Sequence, residues 1–223
     1  MTKYEKISVL ARETAKRISA NREEWIRYLD VASRLYKYPF EDQILIYAQR
    51  PDATACASFE MWNEKMLCWV NRGAKGIALM DGESERPRLR YVFDVTDVHK
   101  ARRIGRDPFI WHLREEHKEA VLAGLEHIYG STNDSLSFES RIYEIAAGIA
   151  EDFYEEAVDE VIDAAANSFL EDLDGDVVSV RFREMLVQSV SYIVLKRCRC
   201  DMTEFADDFT FDYIHEFNTL RTL

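Results

Sequence analysis

What most constrains this chain is a change of apolar period partway along it. Up to about residue 66 the apolar residues recur every three or four positions, as on one face of a helix. In RLRYVFDV, residues 88–95, they recur every second position, as on one face of a strand. Ile7, Leu10, Ala11, Thr14 and Ile18 mark a first helix over 3–19. Trp25, Leu29, Ala32, Leu35 and Tyr36 mark a second over about 22–37. Pro39 stops it, because the residue before a proline avoids the helical region. EDQILIYAQ, residues 41–49, reads as a third helix ended by Pro51, and Ser58 is placed to cap a fourth, FEMWNEKM.

The segments LCWVNR, IALMD and RLRYVFDV then follow as strands. Gly-Ala-Lys-Gly turns the first into the second, and a polar loop from Gly82 to Pro87 leads to the third. Three such strands make an antiparallel meander, its apolar side (Leu89, Tyr91, Phe93, Val95) covered by the helices. TDVHKARRIGRD, residues 96–107, reads as a basic linker. Beyond it, helices are predicted at about 109–129, 137–150, 151–173, 180–198 and 203–218. Ile145, Ile149, Phe153, Val158, Ile162 and Phe169 form the buried stripe of the central stretch. The expected fold class is α+β: a small antiparallel meander sheet packed by helices over 1–105, then an acidic all-α helical domain over 106–223.

Charge divides the chain in the same place. Residues 1–107 hold 20 Lys and Arg against 16 Asp and Glu, a net of +4; residues 108–223 carry a net of −16. The first half suits nucleic acid and the second does not. No apolar run approaches the roughly 20 residues of a membrane span. MTKYEKISVLARETAKRI, at the start, lacks the apolar core of a signal peptide. A cytoplasmic, reducing location with no membrane partner is expected. Cys56, Cys68, Cys198 and Cys200 form no CxxC pair and have no histidine at zinc-ligand spacing, so neither a metal site nor another cofactor is expected.

Catalytic patterns are wanting. HLREEH at 112–117 places its histidines five apart and is not H-E-x-x-H. Asp172-Leu-Asp174-Gly-Asp176 has its glycine at the wrong position for a calcium loop, and Arg183 stands where the bidentate glutamate belongs; a helix-ending turn describes it better. No active site emerges, and the chain is read as non-enzymatic. RGAKG, residues 72–76, has neither the spacing of a phosphate-binding P-loop nor the following helix of a dinucleotide fingerprint. Its glycines suit a hairpin turn, while Trp69, Asn71, Arg72 and Lys75 at the tip suit a single strand whose bases stack and whose phosphates pair with cations. The pattern alone leaves both open. From Ile142 to Val180 there are twelve acids and no Lys or Arg. That is either a solvated face or an acidic surface that meets a basic partner or imitates DNA.

The run LYKYPFEDQILIYAQRPDATACASFEMWNEKMLCWVNRGAKGIALMD, with the later RLRYVFDVTD, resembles the ArdC-like single-stranded-DNA-binding module. It is the version found at the start of large helicase- and methylase-bearing proteins of integrative conjugative elements. The matching residues are Trp62, Trp69-Val70, Arg72 to Ile77 and Tyr91 to Asp94, and the likeness covers roughly 30–100. It implies sequence-tolerant binding of single-stranded DNA in conjugative transfer or antirestriction, with other conjugation or restriction proteins as partners. The metallopeptidase motif of ArdC proteins is missing here, as are the helicase and methylase parts, so the chain reads as a fragment or a truncated relative.

Arg72 and Lys75 are expected to contact phosphates and Trp69 or Trp62 to offer a stacking face, with Asn71, Gly73 and Gly76 counted among the DNA-binding residues of the tip. Lys37, Arg50, Arg88 and Arg90 are expected to widen the basic groove. Trp62 is expected in the core beside Met61 and Met66, and Tyr36, Tyr38 and Tyr47 are also read as core. The alternative function is an acidic protein-interaction or DNA-mimic module of a larger mobile-element protein.

Overall fold

The computed structural model describes residues 1–82, 86–100, 108, 110 and 112–218. Part of the predicted basic linker, 101–107, therefore lies outside the described residues. The chain divides into two compact units, Met1–Arg17 with Arg34–Trp111, and Ile18–Ser33 with His112–Leu223. The second helix, Arg22–Ala32, thus counts with the C-terminal unit, although the sequence reading places it in a first domain over 1–105.

The N-terminal unit contains α1 (Lys3–Ile18), α3 (Phe40–Gln49) and five short strands, β1 (Cys56–Ser58), β2 (Cys68–Val70), β3 (Ile77–Met80), β4 (Leu89–Asp94) and β5 (Val98–Lys100). β1, β4 and β3 form one antiparallel sheet with β4 in the middle, and β2 pairs with β5 in a separate antiparallel ribbon. The fold is α+β, as the change of period predicts. Ser58 does cap the next turn, its hydroxyl accepting from Met61 N–H at 3.2 Å, but that turn is a single π-helical one, Met61–Lys65.

Two details of the sheet differ from expectation. First, β2 does not pair with β3, so RGAKG is a connection between two sheets and not a hairpin turn. β2 takes its partner from within the predicted linker, with Trp69 opposite His99. Second, β4 faces the other way: Val92 and Asp94 are buried, while Tyr91 is 38% exposed. The polar residues of β4 can turn inward because partners wait there. Arg90 ion-pairs with the buried carboxylate of Asp42 on α3. Asp94 accepts the amide protons of Thr54 and Ala55 at 2.7 and 3.0 Å and that of Thr96 at 3.0 Å.

α3 packs on β3 through Ile44, Leu45 and Ile46, buried with Ile77 and Leu79 of the strand. Gln49 finishes the contact: its amide donates to the Ala78 carbonyl at 2.8 Å and accepts from the Ala78 N–H at 3.0 Å. A side chain thus occupies the free edge of β3, where bare backbone would invite another strand.

In the C-terminal unit every element of the described residues is helical: α2 (Arg22–Ala32), α4 (Glu115–Tyr129), α5 (Phe138–Ala164), α6 (Gly175–Cys198) and α7 (Ile214–Phe217), with a 3-10 turn at Thr203–Phe205. α5 is one helix where two were predicted, and it pairs with α6 through Glu151–Arg183 at 2.6 Å and a Tyr154–Ser179 hydroxyl contact. α2 docks on α6, with Trp25 Nε1 donating to Ser189 at 3.0 Å and Tyr192 to Asp30 at 2.8 Å. The predicted helix over 203–218 is mostly irregular; Phe205, Phe209, Phe211 and Phe217 fill the core from it instead. Phe153 and Phe169, expected in the core, are 55% and 59% exposed. Asp174 begins α6 by accepting from Asp176 N–H, so DLDGD starts a helix and does not end one.

Candidate nucleic-acid interface

β2 leaves its sheet at Val70, and Asn71 anchors the departure. Its N–H donates to the Asp97 carbonyl at 2.8 Å, and its Oδ1 lies 2.6 Å from His99 Nδ1 across the ribbon. Ala74 N–H then donates back to the Asn71 carbonyl at 3.0 Å, closing a turn. Gly73, third in that turn, has φ +88°, a conformation that side-chain-bearing residues resist. Arg72 and Lys75 stand on either side of it, both exposed. A Cβ on Gly76 would come within 3.2 Å of both Tyr91 and the Phe93 ring, so glycine lets the segment lie against the outward face of β4.

The result is a mixed aromatic and basic surface. At its start the Trp69 ring is 55% exposed. At its end sit Tyr91, with Lys3 Nζ 4.9 Å from its ring centre, and Phe93, whose edge meets the half-exposed Phe59 at 6.4 Å. Lys3, Tyr91 and Phe59 were not expected here. Alternation in β4 does place Tyr91 and Phe93 on one face, but it does not say whether that face meets water.

The other predicted residues are distributed differently. Arg50 ion-pairs with Asp97 and bonds Thr96 Oγ1 at 2.7 Å, tying the end of α3 to the turn before β5. Arg90 is taken up by Asp42 on the inner side. Neither is a spare cation. Arg88 is exposed but lies at the far end of β3 from Gly76, about 13 Å away at the usual strand rise. Lys37 is exposed, its Nζ 5.8 Å from the ring centre of Tyr36, which is itself 52% exposed and not a core residue. Met61 and Met66 are likewise exposed, whereas Trp62 is buried and donates to the Phe93 carbonyl at 2.8 Å.

Burial pushes the Asp42 carboxyl up, and Arg90 draws it only part of the way back. Arg90→Ala is therefore expected to cost stability and not oligonucleotide affinity. Stranding a fully buried partner costs about 3–5 kcal/mol, and the exposure of Arg90 reduces this to roughly 1–3 kcal/mol. Chemical denaturation beside an oligonucleotide titration checks both halves of that expectation.

Among the described residues no group of three or more His, Cys, Asp or Glu is placed to hold a metal ion. A groove of about 460 Å³ in the C-terminal unit is lined by Glu151, Glu184, Asp207 and Asp208 with Arg183 among them, a lining whose net charge is of the wrong sign for phosphate. No helix of the described residues is long and apolar enough to cross a membrane. Comparison with protein-family models, with curated proteins and with solved structures gives no match for this chain.

Proposed function

We propose that the N-terminal unit binds single-stranded DNA without sequence preference and that the chain performs no chemistry of its own. The observation that carries this is the exposed indole of Trp69 followed directly by a glycine-shaped connection bearing Arg72 and Lys75 in solvent. Every base has a face to stack on an aromatic ring, and every nucleotide has a phosphate to pair with a cation, so such a surface tolerates any sequence. Tyr91, with Lys3 beside it, offers a second stacking position. The resemblance to the ArdC-like module supports the same reading and suggests a cytoplasmic setting in conjugative transfer or antirestriction, alongside other proteins of those systems.

The test is fluorescence anisotropy of a labelled single-stranded oligonucleotide titrated with the full chain at two salt concentrations. Binding that weakens with salt by a log–log slope of about −0.7 per phosphate engaged is expected. Absence of binding at the lower salt would sink the proposal. One observation favours the acidic alternative: α5 leaves Phe153 and Ile162 exposed in the helix that carries Glu155, Glu156, Asp159, Glu160 and Asp163. That reading predicts a blank oligonucleotide titration and binding of a basic, partly apolar peptide instead.

A further inference from the structure

The β2–β5 ribbon carries one more exposed side chain beside the glycine-shaped connection. His99 of β5 stands directly opposite Trp69 of β2. Residues paired in this way put their side chains on the same face, with Cβ atoms about 4.5–5.5 Å apart. Asn71, two residues beyond Trp69, shares that face, and all three side chains are exposed. Asn71 Oδ1 lies 2.6 Å from His99 Nδ1. An amide oxygen only accepts, so Nδ1 carries a proton and donates, in the neutral ring and the charged ring alike. The two forms differ at Nε2, on the side of the ring away from Nδ1. It is a bare lone pair in the first and an N–H in the second.

We propose that His99 is a further phosphate contact of the single-strand surface, made through Nε2 and only by the protonated ring; this rests on the reading of Trp69, Arg72 and Lys75 given above. A phosphate oxygen only accepts. Against the neutral ring it meets a lone pair and gains nothing, whereas the imidazolium gives it a charge-assisted hydrogen bond. A nucleotide has a phosphate on either side of its base. A base stacked on Trp69 therefore brings one towards the connection and the other across the ribbon towards His99. Binding takes up a proton, so affinity rises as pH falls through the range in which histidines change charge, about 8 to 5. The hydrogen bond to Asn71 is the same in both forms, so the turn that displays Arg72 and Lys75 is untouched by the titration.

The neighbouring charges leave the phosphate to supply the counter-charge. Asp97, two residues before His99, is held by Arg50. β2 carries no charged side chain against β5, and its Cys68 is buried opposite Lys100. Lys100 follows His99 and faces the other side of the ribbon by alternation. Arg72 and Lys75 stand on the connection beyond Asn71, and the π-helical turn packed on β2 carries one charge of each sign, Glu64 and Lys65. Among the described residues the polar partner of His99 is Asn71.

The test is fluorescence anisotropy of a labelled oligothymidylate, whose bases do not titrate in this range, with the full chain at about pH 8 and about pH 5.5, each at two salt concentrations. On acidification the affinity of the parent is expected to rise about two- to fivefold more than that of His99→Gln, the range of an exposed ion pair. Its log–log salt slope should steepen by about 0.7, one added phosphate. His99→Gln keeps an N–H for Asn71 and carries no charge, so at the higher pH it should bind like the parent. His99→Arg, charged at both, should bind at the higher pH as the parent does at the lower. An equal response to pH in the parent and His99→Gln would overturn the contact. So would an affinity of His99→Gln reduced by the same factor at both pH values, which makes His99 a brace for Asn71 and nothing more. Absence of binding under all four conditions would strike out the single-strand reading and this contact together.

Discussion

Arg72→Ala combined with Lys75→Ala is expected to weaken binding of a single-stranded oligonucleotide and to flatten its dependence on salt. Each phosphate contact on a single strand adds about 0.7 to the log–log salt slope, so losing two should reduce it by about 1.4. Trp69→Ala should behave differently. Stacking is worth roughly 1–3 kcal/mol per base, so affinity falls between about fivefold and 150-fold at every salt concentration while the slope stays put. All three side chains are exposed, and surface changes of this kind usually shift stability by under about 0.5 kcal/mol, so the fold should be unaffected. Parent-like affinity and slope in the double variant would show that the connection between the sheets is only a connection.

The largest loss of stability is expected from Asp94→Ala. This carboxylate is 1% exposed and receives the N–H groups of Thr54, Ala55 and Thr96 together with the Thr96 hydroxyl at 2.8 Å. It thereby joins the approach to β1, the end of β4 and the turn that sends the chain into β5. Hydrogen bonds to a charged group contribute about 1.5–3 kcal/mol each, and alanine leaves the amides of Thr54 and Ala55 without their acceptor. A loss of about 3 kcal/mol or more is expected in urea denaturation, a large share of the stability of a small unit.

Acid supplies a second readout. Burial raises the Asp94 pKa, but its hydrogen bonds together outweigh burial and hold the carboxyl below its ordinary value. A depressed folded-state pKa means stability that is fully present above the unfolded value of about 3.9 and lost as pH falls through the folded one. The parent should therefore lose stability in that acid range, and Asp94→Ala should lack this component. An unchanged acid profile in the variant would show that Asp94 does not control this part of the fold.

Asp94 also marks the limit of what could be read from the residues in order. The helical segments over 3–19 and 41–49, the cap at Ser58, the burial of Trp62 and the strand character of 88–95 depend on neighbours a few positions away, and they stand as expected. The exposure of Trp69, Arg72 and Lys75 was legible too, because glycine-rich polar connections run over surfaces. The outward aromatic pair of β4 was not. Period two says that Tyr91 and Phe93 share a face, and only the positions of Asp42 and Thr54, 48 and 40 residues from their partners, decide that the opposite face is buried.

The same reason governs the pairing of β2. Its three residues carry too little pattern to choose between β3 and β5, and the turn that Asp94 imposes after β4 brings β5 alongside. Local spacing determined that this chain would be helical at both ends with strands between, and that a basic, glycine-shaped segment would stand in water among those strands. Tertiary structure decided which cations remain available to a ligand, taking Arg50 and Arg90 for ion pairs and adding Lys3 beside Tyr91. A charge is recruited or spared by partners distant in sequence, and no short-range rule carries that information.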